Sequence, residues 1–359
     1  MACTHVLHAF DTGFKTDKGK PLLKITGKNI EWIYQPISKE NALSQKPQHI
    51  YVDKKITKFI EIPCGQCAQC RLNHAREWAT RCMIEAKQYK ENYFLTLTYD
   101  EEHLPKNKGI DLETGEATVV ATLREKDLQD FMKRLRITWA RKYGWNGIVM
   151  ANKIRNFSCG EYGEKRGRPH YHAIIFNLPI KDLQPDHYNK TGKLIYYSAE
   201  IEKIWGNGIV GIGDVTWESA CYVARYCMKK QTGPNAEDYY KEIGRVPEFV
   251  RMSRRPGIGK QYFEDNKDKI YKTDELFVIT SKGVQKVKPS RYYDKLYDIE
   301  NPERMAEIKE QRQMLAKMSL ENQLRNTDLS KEEYLKNKEE NKLMQIQQLK
   351  RSYEETGVI

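Results

Sequence analysis

The chain has 359 residues, enough to bury a sizeable core and to form two or three domains. Lys and Arg number 61 against 49 Asp and Glu, a net charge of +12, so a polyanion, most commonly nucleic acid, is the expected partner. No run of about 18 apolar residues occurs, which argues against a helical membrane span. Residues 301–359 hold equal numbers of basic and acidic side chains, so the whole positive excess sits in residues 1–300. The start, Met1-Ala2-Cys3-Thr4-His5, lacks the charged and apolar regions of a secretory signal, and eight cysteines without such a signal read as reduced thiols in a cytoplasm.

Residues 1–62 carry short β-like pieces, Asn29 to Pro36 and His49 to Ile62 among them, between polar turns. Cys64, Cys67 and Cys70 follow at a spacing that suits Zn²⁺, which wants four ligands. A helix is expected over about Arg71 to Tyr89. Cys82, 12 residues past Cys70, would lie roughly 18 Å along it, too far to share an ion. The fourth ligand is then His74, one turn from Cys70, or a residue brought in by folding, with Cys3 preferred. Reduced thiols at a loop-to-helix junction are the alternative.

Tyr93 to Asp100 alternates as a strand, with Phe94, Thr96 and Thr98 on one face; Thr96 and Thr98 either touch DNA or simply favour the strand. His103 to Thr122 reads as a polar loop or hairpin. Leu123 to Tyr143 is an amphipathic helix with Leu128, Phe131, Met132, Leu135, Ile137 and Trp139 apolar and Lys133, Arg134, Arg136, Arg141 and Lys142 as a basic face.

Phe157 to Tyr162 and Arg168 to Phe176 read as two strands joined by a polar turn, Gly163 to Gly167. Alternate side chains share a face, so His170 and His172 point the same way, and the hairpin brings the Glu161 carboxylate beside them. Two imidazoles and a carboxylate can hold one metal ion with positions left for water and a phosphate oxygen. Residues 177–204 form a variable stretch, and Gly208 to Val215 a further strand.

Thr216 is the expected N-cap of a helix from Trp217 that Gly233-Pro234 stops. On it Tyr222 and Tyr226 are one turn apart, Lys230 continues the row, and Lys229 lies beside it. Two phenols and an ammonium facing a metal are what phosphodiester transesterification needs. The glycines near 208–213 are not in dinucleotide-loop order, and Gly257-Ile258-Gly259-Lys260 is not a phosphate-binding loop of the NTPase kind, so unwinding is left to a partner. Arg251 to Gly257, with Arg254 and Arg255, is a basic turn-rich loop suited to phosphate. Leu276 to Ile279 and Val284 to Val287 read as a hairpin. From about Glu300 the chain is charged and helix-prone without a sustained heptad.

The stretches GEYGEKRGRPHYHAIIF and YVARYCMKK resemble the metal and nucleophile motifs of HUH endonucleases, and more narrowly those of microvirus replication initiators. PCGQCAQCR and MSRRPGIG resemble the gokushovirus branch of that group. The resemblance spans roughly residues 60–300. It implies an α+β fold, a central antiparallel sheet of about five strands with flanking helices, beside an N-terminal β-rich segment and a C-terminal helical tail. The expected divisions are 1–90 (the β-rich segment with the cysteines and first helix), 91–295 (the nicking domain) and 296–359 (the tail).

It further implies His170 and His172 as the paired histidines, with Glu161 as third ligand for Mg²⁺ or Mn²⁺. Tyr222 and Tyr226 are the implied nucleophiles, and Lys230, with Lys229, the lysine that follows them. Rolling-circle initiation on single-stranded origin DNA is the implied activity, in the host cytoplasm, with Arg168, Arg254, Arg255, Thr96 and Thr98 against DNA and host helicase and polymerase as partners. The sequence leaves the oligomeric state open. A non-catalytic protein that coats or packages single-stranded DNA is the competing class, and a relaxase or transposase of the same chemistry is a third reading.

Overall fold

The computed structural model describes residues 3, 5–17, 19, 21–26, 33–36, 39–40, 51–56, 59–145, 153–163, 167–189, 192–225 and 235–348. It divides into two compact units, Met1–Arg71 with Gln313–Gln348, and Leu72–Arg312. In the first, the strand Leu7–Lys15 lies between Pro21–Thr26 and Ile60–Ile62, and Ile33–Pro36 pairs with Tyr51–Ile56, every pairing antiparallel. The β-rich reading of residues 1–62 is visible in these short sheets; positions 29–32 of one expected strand lie outside the described residues.

The second unit is built on a seven-stranded antiparallel sheet. Its order is Gln184–Tyr188, Leu194–Tyr197, Val210–Asp214, Asn92–Thr98, Pro169–Phe176, Arg155–Tyr162, Phe249–Met252. The expected α+β class stands, with the sheet wider than the five strands anticipated. Two of the extra strands come from the stretch taken as variable, and the third from the start of the basic loop.

The central strands are buried on both faces, so their alternation separates two cores rather than core from water. On one face Leu95, Leu97, Tyr171, Ala173, Ile175 and Ile212 pack under the helices Glu125–Tyr143 and Ala199–Trp205. On the other, Phe94, Ile174, Phe176 and Phe157 meet the helix Ala68–Ala86 through Ala75, Ala79 and Cys82, and the helix Trp217–Arg225 through Ala220, Tyr222 and Val223. Each large side chain sealed this way contributes about 1.5–3 kcal/mol of hydrophobic stabilisation. By pleat parity His170 and His172 share the second face, with the Trp217–Arg225 helix.

The helix expected from Leu123 runs Glu125–Tyr143 and buries Leu128, Phe131, Met132, Leu135 and Trp139. Ile137, counted among its apolar positions, is 40% exposed. Its basic face is partly internal bracing: Arg134 donates to the carbonyls of Ile204 and Trp205, and Arg136 to the Ile154 carbonyl and the Asn156 side chain. Residues 103–122 form a hairpin, Lys106–Ile110 with Ala117–Ala121, and Leu276–Thr280 pairs with Gly283–Val287 as expected.

A third core joins Ile84, Phe263, Tyr271, Tyr293 and Tyr297 to Met305 and Ile308. The segment anticipated as a tail from 296 therefore enters the core of this unit as far as Ile308, in the helices Arg291–Glu300 and Pro302–Leu324. Among the described residues no helix is long and apolar enough to cross a membrane.

Candidate metal centre and nucleophile helix

The ligand hairpin is fixed by register. Pro169–Phe176 pairs with Arg155–Tyr162 so that His170 lies opposite Glu161, and with Asn92–Thr98 so that His172 lies opposite Thr96 and His170 opposite Thr98. Both imidazoles reach one carboxylate oxygen: Nε2 of His170 is 2.7 Å, and Nε2 of His172 3.0 Å, from Oε1 of Glu161. All three side chains are buried.

The far side of each ring is also held. Nδ1 of His170 lies 3.1 Å from the Arg168 carbonyl, which only accepts, so the proton sits on Nδ1 and the Nε2 lone pair faces Glu161. Nδ1 of His172 lies 3.1 Å from the Thr96 hydroxyl, and the Phe94 ring stacks on the imidazole with centroids 5.3 Å apart. Burial alone would push the Glu161 carboxyl up, but the charge and hydrogen bond of His170, followed by those of His172, outweigh it and hold it down at about 2. A permanently ionised carboxylate with two oriented imidazoles is a donor set that fits a divalent cation, one ligand atom from each lying within 4.8 Å of the others.

Tyr171, between the histidines, points to the opposite face. Its hydroxyl lies 2.7 Å from that of Tyr99, which donates to Asp127, and it donates to the Arg124 carbonyl. This phenol chain ties the ligand strand to the start of the Glu125–Tyr143 helix. No periodicity in the sequence pointed to it, because its members are 28 to 72 residues apart.

The Trp217–Arg225 helix begins with a reciprocal cap. The Ser219 amide donates to Oγ1 of Thr216 (3.1 Å) and the Thr216 amide to Oγ of Ser219 (2.8 Å), as the Thr216 N-cap expectation required. Its Tyr222 is 4% exposed, with the ring edge-on to His172 at 5.1 Å between centroids and 78° between planes. Tyr226, Lys229, Lys230 and the Gly233-Pro234 stop lie outside the described residues.

The strand that feeds this helix runs beside the end of the central strand at Gly208. A Cβ there would fall 2.5 Å from the Thr98 carbonyl oxygen, and φ is +141°, so glycine is required.

The expected DNA contacts divide. Thr96 and Thr98 are 3% and 4% exposed, with one hydroxyl on His172 and the other on the Ile209 carbonyl, so their hydroxyls serve the fold instead. Arg168 pairs with Glu101 at 2.5 Å and donates to the Tyr99 carbonyl. Arg254 and Arg255 are exposed, on a loop held from beneath: Arg81 donates to the Ile258 carbonyl, Arg155 to that of Pro256, and the Gly259 amide to Glu85. The two arginines border a cleft of ≈ 490 Å³ that Arg136, Lys153 and Trp145 also line.

Of the cysteines, Cys3 joins Cys64, Cys67 and Cys70 in one cluster. His74, the other fourth-ligand candidate, instead accepts a hydrogen bond from the Trp78 indole on Nε2 (3.2 Å).

The family model for replication-associated protein ORF2 matches residues 92–231, a span that holds the ligand hairpin and the tyrosine helix. Replication-associated protein ORF2 of Spiroplasma virus 4 is 37% identical over 262 residues, covering 72% of this chain and 75% of its own. This chain belongs to the replication-associated protein family of the microviruses. Replication-associated protein VP4 of Bdellovibrio phage phiMH2K is 33% identical over 286 residues, 78% of this chain and 82% of that one. Replication-associated protein ORF4 of Chlamydia phage 1 is 31% identical over 173 residues, 47% of this chain and 38% of that one. No solved structure matches this member of the family.

Proposed function

We propose that this replication-associated protein initiates rolling-circle replication by cutting and rejoining single-stranded origin DNA through a 5′-phosphotyrosine. The observation that carries the reading is the convergence of Glu161, His170 and His172 in one buried cluster with the Tyr222 ring against His172. Passive coating of DNA requires no such trio.

Glu161, His170 and His172 would hold Mg²⁺ or Mn²⁺, which when bound polarises a scissile phosphate. Thr96 and the Arg168 carbonyl keep the two rings aimed. The Tyr226 hydroxyl attacks phosphorus; the Oη–P bond forms as the P–O3′ bond breaks, the phenol proton is lost, and the departing 3′ oxygen is protonated. Lys230 and Lys229 steady the charge on phosphate. The 3′-hydroxyl is then a primer for host polymerase, with a host helicase opening the duplex. Because the phosphotyrosine ester conserves the bond, resealing needs no nucleotide. Tyr222 serves the second cut, and the new 3′-hydroxyl attacks the first ester to release a circle. Arg254 and Arg255, at the mouth of the basic cleft, suit contacts to the DNA backbone.

A labelled single-stranded origin oligonucleotide, incubated with and without Mn²⁺, should give a covalent protein–DNA adduct only with the metal. Tyr222→Phe combined with Tyr226→Phe abolishes the adduct; an adduct that persists refutes the nucleophile assignment. His172→Ala removes metal-dependent cleavage from a folded protein, and undiminished nicking would mean the metal is held elsewhere.

A further inference from the structure

We propose that Cys3, Cys64, Cys67 and Cys70 bind one structural Zn²⁺ as a closed tetrathiolate, a centre separate from the histidine cluster and outside the nicking chemistry. One sulfur from each residue lies within 4.8 Å of all the others, and three of the four residues are buried. Sγ of Cys3 is 3.6 Å from that of Cys64 and 3.8 Å from that of Cys67. A disulfide needs about 2.05 Å, so these are not bonded pairs. A tetrahedron with Zn–S of about 2.3 Å has edges of about 3.8 Å, the spacing seen here.

Backbone amides point at the same sulfurs. Cys64 N–H donates to Sγ of Cys3 at 3.3 Å, while Gln66 and Cys67 N–H donate to Sγ of Cys64 at 3.4 and 3.3 Å. Neutral thiols are weak acceptors, whereas thiolates on a metal use such donors well. Gly65, at φ +75°, makes the turn that aims them. Cys67 closes the first turn of the helix Ala68–Ala86, accepting the Arg71 amide, at the end where a negative sulfur is favoured.

Apolar packing does not account for the cluster. Apart from the cysteines themselves, Val6 is the one hydrophobic side chain packed against it among the described residues. Cys82 and Cys159, by contrast, sit inside a broad apolar core with Phe157 and Ile174. Four soft sulfur donors with no open position match a structural zinc site rather than a catalytic one. The ion would close a chain loop of about 60 residues between Cys3 and Cys64, which raises the stability of the sheets formed within it.

His5 and Glu339 also approach Cys67, so substituting Cys67 cannot separate the two groups, whereas Cys3 and Cys70 belong only to the thiol cluster. The test uses the full chain produced in zinc-supplemented medium, gel-filtered, with metal measured by plasma mass spectrometry. The expected result is one zinc per chain, unchanged in the double variant His170→Ala with His172→Ala and lost in Cys3→Ser and in Cys70→Ser. Cobalt-loaded wild-type protein should show the intense visible d–d bands and thiolate-to-metal charge transfer of a tetrahedral sulfur site. This spectrum decides the matter even where a cysteine variant fails to fold. Absence of zinc, iron in its place, zinc undiminished in Cys3→Ser, or a cobalt spectrum without sulfur charge transfer overturns the assignment. None of these readouts involves DNA cleavage, so the two proposals fail independently.

Discussion

At the scale of single residues, the Thr96 hydroxyl is the support on which His172 depends. It lies 3.1 Å from Nδ1, the ring atom turned away from Glu161, and partners of that kind set both the orientation and the basicity of a ligand. Thr96→Val keeps the strand and the volume but removes that contact. It should weaken Mn²⁺ binding by about 10–100-fold in calorimetric titration, with Thr96→Ser close to wild type. The two histidines themselves were legible in the sequence, because His-x-His in an apolar strand has only one geometric outcome. Thr96 was recognised as sharing a face with Phe94, but its meeting with His172 depends on the pairing of strands 76 residues apart. That register is set by the cores on both faces of the sheet rather than by any local pattern. The same applies to Cys3, whose approach to Cys64 spans 61 residues.

At the scale of elements, helices were legible as helices, but the employment of their charges was not. Arg134 and Arg136 have the spacing of a solvated face and yet spend their guanidinium groups on internal carbonyls. Arg312 is a clearer case. From the helix Pro302–Leu324 it reaches Asp274, at the end of the helix Lys260–Thr273, and Asp294 in Arg291–Glu300. Burial raises the Asp274 carboxyl, but hydrogen bonds from Arg312 and Lys288, and then their charges, more than reverse this and hold it below its ordinary value.

A carboxyl depressed on folding contributes stability above its unfolded pKa of 3.8 and loses it as pH falls through the lower folded value. Urea unfolding of wild type and Asp274→Asn should therefore show wild type more stable at neutral pH. The gap should narrow below about pH 4 and close in stronger acid. A gap independent of pH would mean that shape rather than charge is at work.

For the whole second unit, the pair Glu85–Arg155 joins what the sequence keeps far apart. Glu85 belongs to the helix Ala68–Ala86 and Arg155 to the sheet, both side chains are 2% exposed, and between them they hold the Pro256 carbonyl and the Gly259 amide of the arginine loop. Glu85→Ala leaves a buried guanidinium without its counter-charge and should cost about 3–5 kcal/mol in denaturant unfolding. It should also loosen the loop that presents Arg254 and Arg255. The α+β class was readable from the alternation of strand and helix patterns. The sheet's full width was not, since Gln184–Tyr188 and Leu194–Tyr197 are short edge strands in a polar stretch that carries little hydrophobic signal.

The third core sets a limit on how far the coding sequence can be shortened. Met305 and Ile308 are sealed among Ile84, Phe263 and Tyr297, and Arg312 stands just beyond them. A premature stop anywhere before codon 313 would strip a wall from the enzyme-like half of the molecule and expose a greasy seam to aggregation. A virus with little genome to spare thus has reason to keep a stretch that looks, letter by letter, like dispensable charged filler.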